Sequence, residues 1–188
     1  PTWPGVRARL FYVAEWISRN FAGRGAHHFD LGGGDGWFSG LMFKNGWQSV
    51  GEDPAFDDTE TVPTPVQFDL VTINWTLENC VDCIGLLKQA RQLLMPSGHI
   101  VVATGSRIRV PPRKRLSAYF SRNPADTHCS RWTPGSLTRA LALAGFQQPR
   151  FNDCEQNDVL LACARVGKPI DTQPANEHDE VLAHFDQW

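Results

Sequence analysis

Val6, Leu10, Val13, Ile17 and Phe21 recur at spacings of three and four. That rhythm turns them onto one face of a helix, which Gly23 and Gly25 stop. The period then changes. His28-Phe29-Asp30-Leu31 reads as a short strand running directly into Gly32-Gly33-Gly34-Asp35-Gly36. From Trp37 to Lys44 the helical spacing returns, with Phe38, Leu41 and Met42 turned inward and Asn45-Gly46 as the stop. A second strand is read from Gln48 to Glu52. Strand, glycine loop, helix and strand make a βαβ unit, which implies parallel strands.

Phe68 to Ile73 is a nearly continuous apolar run, the pattern of a strand buried on both faces, and Ile100 to Thr104 is another. Between them the spacing predicts a helix over 81–95, with Ile84, Leu87, Arg91 and Leu94 along one side and Pro96-Ser97-Gly98 as its stop. Thr133, Pro134 and Gly145 predict the cap, first position and end of a further helix. Pro149 to Asn152 and Val159 to Arg165, split by a polar turn, predict an antiparallel hairpin. The whole is an α/β domain over residues 1–167 with a mostly parallel sheet. Residues 168–188 differ, with five acids against one lysine. They read as an acidic, mobile tail, in which Val181, Leu182, Phe185 and Trp188 allow a short amphipathic helix.

Composition narrows the function classes. A chain of 188 residues can bury roughly 70% of its unfolded surface and needs no disulfide or structural metal to fold. The formal net charge of -2 argues against attraction to nucleic acid by bulk charge. No apolar run approaches the ~18 residues of a membrane span. Five cysteines, an odd number, lean toward reduced thiols and a cytoplasmic setting. Cys80 and Cys83 form a CxxC without a second pair to complete a metal site, so they read as two small buried residues.

The glycine loop carries the chemistry, because glycines between a strand and a helix expose backbone N–H groups and admit a ligand closely. A Walker loop is excluded, since the only Gly-Lys is Gly167-Lys168, followed by Pro169. A dinucleotide fingerprint would need a small residue where Trp37 stands, which counts against a nicotinamide-dependent oxidoreductase. The register Asp30-x-Gly32-x-Gly34-x-Gly36 fits without exception. It resembles motif I of the class I S-adenosylmethionine-dependent methyltransferases, and the likeness runs over about residues 26–166. Val50-Gly51-Glu52-Asp53 resembles that family's second strand and its terminal acid. Phe68-Asp69-Leu70-Val71, Trp75-Thr76-Leu77-Glu78-Asn79 and Leu93-Leu94-Met95-Pro96-Ser97-Gly98-His99 resemble later motifs in the right order. Trp132-Thr133-Pro134 and Leu143-Ala144-Gly145-Phe146 do so too.

The resemblance implies a Rossmann-like sheet that ends in an antiparallel hairpin, with S-adenosyl-L-methionine as cofactor. It implies Asp30 and Gly32 beside the methionine part, Gly34 at the closest backbone approach with Gly36 completing the loop, and Asp53 on the ribose, Glu52 competing for that role. Asn74 and Trp75 lie just past a strand end, where open α/β sheets bind ligands. Two departures stand out. Only residues 54–67 separate Asp53 from Phe68, too few for the family's helix and return strand, so the adenine side is expected to be small and open. Asn79 stands where many members have His.

The segment from Gly105 to Arg131 carries Arg107, Arg109, Arg113, Lys114, Arg115, Arg122 and Arg131 against the single acid Asp126. Guanidinium forks suit phosphate and carboxylate. Arg113, Lys114 and Arg115 are therefore expected to bind a small anionic acceptor, of saccharide or sugar-phosphate type in a biosynthetic pathway; a solvated basic face is the alternative. His128 is the first candidate for a general base, with Asp126 and Tyr119 behind it. His99 lies at the strand-entry side, and His27 and His28 read as structural. The rival reading is a non-catalytic subunit of methyltransferase-like fold, and a protein partner or homodimer stays open.

Overall fold

The computed structural model describes residues 4–52, 67–105, 128–153, 159–171, 173 and 176–186. Helix α1 (Pro4–Asn20) leads into β1 (His27–Leu31), α2 (Trp37–Lys44) and β2 (Gln48–Glu52). After β3 (Phe68–Asn74) come a 3₁₀ turn (Leu77–Asn79), α3 (Cys83–Leu93) and β4 (Leu94–Thr104). Helix α4 (Pro134–Ala144), β5 (Phe146–Phe151), β6 (Leu160–Val166) and α5 (His178–Phe185) complete the order. Six strands form one sheet in the order β2-β1-β3-β4-β6-β5. The first four are mutually parallel, and β6 runs antiparallel to both β4 and β5.

Each face of the sheet has its own apolar core. Val13, Ile17, Phe38, Met42 and Trp47 pack with Leu70, Val101 and Leu161 beneath α1 and α2. Leu87, Ala90, Leu137 and Leu141 pack with Phe29, Val71 and Ile100 beneath α3 and α4. Strands covered on both faces read as continuous apolar runs, which is why β3 and β4 stand out in the sequence. The chain leaves β1 through α2 toward β2, then returns to the other side of β1 as β3. The ends of β1 and β3 therefore flank the crevice where such sheets bind ligands.

Three element boundaries differ from the sequence reading. Helix α3 starts later than expected, because the Asp82 side chain accepts from the Gly85 N–H at 2.7 Å and fixes the cap there. Strand β4 begins at Leu94, before Pro96-Ser97-Gly98. Its register with β3 jumps from Phe68↔Leu94 to Leu70↔His99, so the Pro-Ser-Gly stretch bulges within the strand rather than preceding it. Strand β5 starts directly after Gly145, which ends α4 at φ 91°. Helix α4 has the expected Thr133 cap and Pro134 start, and Thr133 and Ser136 cap one another reciprocally. The Glu177 carboxylate adds to that end, accepting from the Gly135 N–H and the Thr133 hydroxyl. Cys80 and Cys83 are half-buried rather than buried, and their thiols donate to the carbonyls of Thr76 and Leu77.

Candidate functional site

The glycine loop is built around left-handed backbone. Gly32, Gly34 and Gly36 have φ of 79°, 56° and 73°, a region that costs other L-residues roughly 1–2 kcal/mol. At Gly32 a side chain is also excluded by space, since a Cβ would lie 2.4 Å from Thr76 Oγ1. The N–H groups of Gly32 and Gly33 both donate to the Glu52 carbonyl, at 2.8 and 3.1 Å, which ties the loop to the end of β2. The Thr76 hydroxyl lies 3.2 Å from the Gly32 carbonyl and ties the same loop to the end of β3. Gly36 caps α2, and Asp35 accepts from the Trp37 N–H at the first turn of that helix.

Asp30 is buried, with its Oδ1 accepting from Thr72 Oγ1 at 2.6 Å and Asn74 Nδ2 at 3.0 Å. Because a carboxylate oxygen accepts, the Thr72 hydroxyl spends its proton on Asp30. Thr72 Oγ1 must then accept from His28 Nε2 at 2.9 Å, which assigns the proton to that ring nitrogen. His28 Nδ1 is left as an acceptor for the Ser49 hydroxyl at 2.7 Å. Four side chains on three neighbouring strands thus form one directed chain, Ser49 to His28 to Thr72 to Asp30. Burial pushes the His28 pKa from 6.5 down to about 3, so the ring is neutral at ordinary pH. His28 does more than fill the core. It sits two residues before Asp30 on one strand, hence on the same face, and that spacing was its signal in the sequence.

Asn74 Nδ2 is committed to Asp30, while its Oδ1 is buried and has no hydrogen-bond partner. Glu52 Oε2 is likewise buried and unpartnered. Trp75, directly after β3, has φ 54°, an uncommon conformation for so bulky a residue. It is held there by its N–H to the Ala103 carbonyl at 2.9 Å and by the Asn79 side chain donating to its own carbonyl at 3.0 Å. Strain of this kind persists only where the surroundings enforce it, and it collects at ligand sites.

These groups converge. Asp30, Gly32, Gly34, Asn74 and Trp75 line one cleft of about 160 Å³, joined by Asp35 and by Val6 and Leu10 of α1. Gly36, the cap of α2, is not among the lining residues. Asp53, Tyr119, Asp126, Arg113, Lys114 and Arg115 fall outside the described residues. His128 is exposed and is not among the residues lining the cleft; it lies near Glu78. Burial pushes the Glu78 carboxyl above its usual range, opposed by its own N–H, the Thr104 hydroxyl, His128 and the Gly105 backbone. The Glu78 carbonyl accepts from the N–H groups of Cys129 and Ser130 at 2.7 and 3.1 Å. The sequence shows Glu78 only as part of the Trp75-to-Asn79 motif, because its contacts come from residues on both sides of the 106–127 segment.

No curated protein matches the chain in sequence. Among solved structures, magnesium protoporphyrin IX methyltransferase from Synechocystis with bound S-adenosylhomocysteine superimposes with a TM-score of 0.62 at 13% identity. That match covers 87% of this chain and 84% of the other. An S-adenosylmethionine-dependent methyltransferase from Mesorhizobium loti matches with a TM-score of 0.55 at 25% identity, over 83% of this chain and 99% of the other. Human N-acetylserotonin methyltransferase in complex with S-adenosylmethionine gives 0.58 at 20%, over 85% and 51%. Residues 6–148 match the model of a family described as a methyltransferase domain. With its glycine loop at the β1–β3 crevice, the chain therefore belongs to the class I S-adenosylmethionine-dependent methyltransferases.

Proposed function

We propose that the protein transfers the methyl group of S-adenosylmethionine to a small anionic acceptor of saccharide or sugar-phosphate type. The family supports methyl transfer from this cofactor. The observation that carries the reading to these residues is the unpartnered Asn74 Oδ1, buried beside Asp30 at the mouth of a left-handed glycine loop. A buried acceptor without a donor costs roughly 1–3 kcal/mol, and an ammonium group relieves that cost. Asp30 and Asn74 would hold the amino group of the methionine part, with Gly32 beside it and Gly34 leaving room for close approach. Asp53 is assigned to the ribose hydroxyls. Glu52, whose buried Oε2 also lacks a donor, is the alternative.

When bound, the cofactor supplies an electrophilic methyl on a sulfonium. The protein's part is to hold the acceptor in line with it, and positioning alone can account for much of the acceleration. Trp75, fixed in its strained conformation at the cleft, is assigned to shaping that approach. A base is needed only for a hydroxyl or carbon-acid acceptor, and His128, Asp126 and Tyr119 are the candidates. The anionic acceptor rests on the cations Arg113, Lys114 and Arg115.

Calorimetric titration with S-adenosylmethionine, S-adenosylhomocysteine and NAD tests the cofactor assignment. The first two should bind and NAD should not, and Asp53→Ala should weaken both by roughly tenfold or more. Unchanged affinity in Asp53→Ala with a loss in Glu52→Gln would move the ribose role to Glu52. Silence with all three ligands would favour the partner-subunit reading. Neutralising Arg113, Lys114 and Arg115 together should weaken acceptor binding while leaving cofactor affinity in place. Equal, negligible effects on both would return that segment to a solvated face.

A further inference from the structure

The second cleft of interest lies at the other end of β4. His99 sits five residues before Thr104, so roughly 16 Å of strand separates it from the cofactor end. It pairs with Arg165 across β6, and Arg150 on β5 pairs with Cys163, two residues before Arg165. Cross-strand partners and i, i+2 neighbours share a face. His99, Arg165, Cys163 and Arg150 therefore stand on one side of the sheet. Together with Gln148 they line a cleft of about 250 Å³. The Phe21 ring, just past the end of α1, meets His99 edge-on at 5.2 Å.

Two further observations bear on this cleft. The β5–β6 register passes from Gln147↔Arg165 to Arg150↔Cys163, three steps on one strand against two on the other. That is a bulge with one extra residue, and its Gln148 is held at φ 51° although it is not glycine. Bulges re-aim side chains, and this one brings the Gln148 amide and the Arg150 guanidinium into the same cleft. Moreover, among the described residues no carboxylate pairs with Arg150 or Arg165. Arg150, Arg165 and Gln148 are exposed at the mouth of the cleft, with Cys163 buried beneath them, so their donors remain open to an anion from solvent.

We propose that Arg150, Arg165, Gln148 and His99 form a second binding site, separate from the cofactor cleft, for the phosphate group of a small molecule. Two guanidinium forks and an amide supply planar donors that match phosphate oxygens. The volume falls below the roughly 300–1,000 Å³ of sites for drug-sized ligands, so the ligand is small. His99 is the reporter. Burial lowers its pKa, and the Arg150 and Arg165 charges lower it further. The charged groups that act on it are those two guanidiniums, with the half-polar Cys163 thiol between them and the Phe21 ring on the α1 side. A bound phosphate reverses the electrostatic part and raises the His99 pKa.

The test follows the His99 ring resonance by NMR, assigned with His99→Gln, while inorganic phosphate is titrated at fixed ionic strength against chloride. A saturable shift with an upward move in the His99 pKa, weakened roughly tenfold or more in Arg150→Ala and in Arg165→Ala, supports the site. Arg150→Gln and Arg165→Gln, with unchanged far-ultraviolet circular dichroism, provide the same reading if an alanine variant is unstable. The proposal is overturned if the shift does not saturate, if chloride alone reproduces it, or if the arginine variants respond as the parent does. None of these outcomes depends on whether S-adenosylmethionine binds.

Discussion

His28→Phe is expected to abolish a loss of stability on mild acidification that the buried ring imposes on the parent protein. The neutral His28 ring is buried and bridges Ser49 and Thr72, so its folded pKa of about 3 lies below the 6.5 of the unfolded chain. Between those values the unfolded state binds more protons, so stability rises with pH in that window. Its contribution is fully present above pH 6.5 and is lost as pH falls toward 3. The 6.5-to-about-3 difference corresponds to roughly 4–5 kcal/mol in all, of which about 2 kcal/mol is gone by pH 5. Urea unfolding at pH 7.5 and pH 5 measures it. Glu78 works in the opposite sense, since a carboxyl with a raised pKa contributes stability below that pKa and loses it as pH rises. Comparing parent with variant at each pH cancels that second group. Phenylalanine keeps the edge-on contacts with Phe38 and Trp47 but cannot bond Ser49 or Thr72, so the comparison is of pH slopes and not of absolute stability. Equal pH slopes in the two proteins would exclude His28 as the source.

A second large effect is expected at Gly32. Gly32→Ala forces a left-handed alanine and drives its Cβ to 2.4 Å from Thr76 Oγ1, whose hydroxyl tethers the loop. Backbone strain contributes roughly 1–2 kcal/mol and the overlap a further ~1–3 kcal/mol. S-adenosylmethionine binding should be lost along with the loop geometry. Gly36→Ala is the control, because φ is 73° but no atom lies within 4 Å of the added Cβ; it should cost only the strain. Adding Thr76→Ala to Gly32→Ala should recover the overlap with Oγ1 and Cγ2 but not that with the Thr76 Cβ at 2.9 Å, a partial coupling that a double-mutant cycle reads directly. Strict additivity would mean the loop moves aside, and the fit between Gly32 and Thr76 would carry no weight.

How much of this was legible in the sequence depends on whether the deciding contact is local. The Asp30-to-Gly36 register, the cap at Thr133 and the Gly145 stop are properties of a few consecutive residues, and each stands where the sequence put it. The buried strands were legible because a helix layer on each face demands unbroken apolar runs. The early start of β4 was not, because pairing with Phe68 rather than local propensity draws Leu94 into the sheet. The same holds for the site. Asp30, Asn74 and Trp75 follow from strand ends, whereas the link from Ser49 through His28 to Asp30 needs the register of three strands. Glu78 needs both ends of a long segment. A motif scan sees spacing along the chain, not partners across it.

Glu78 joins two places far apart in sequence: its carboxyl lies among Thr104 and Gly105, and its carbonyl holds Cys129 and Ser130. Glu78 therefore ties the end of β4 to the stretch that leads into α4, one fixed pair of posts on either side of residues 106–127. Doubling the length of chain between fixed ends adds only ~0.6 kcal/mol of closure entropy. The identity of that stretch is thus nearly decoupled from the cost of folding the sheet. A segment of different length or sequence spliced between Gly105 and His128, with the two posts kept, should therefore leave the folding of the sheet nearly unchanged.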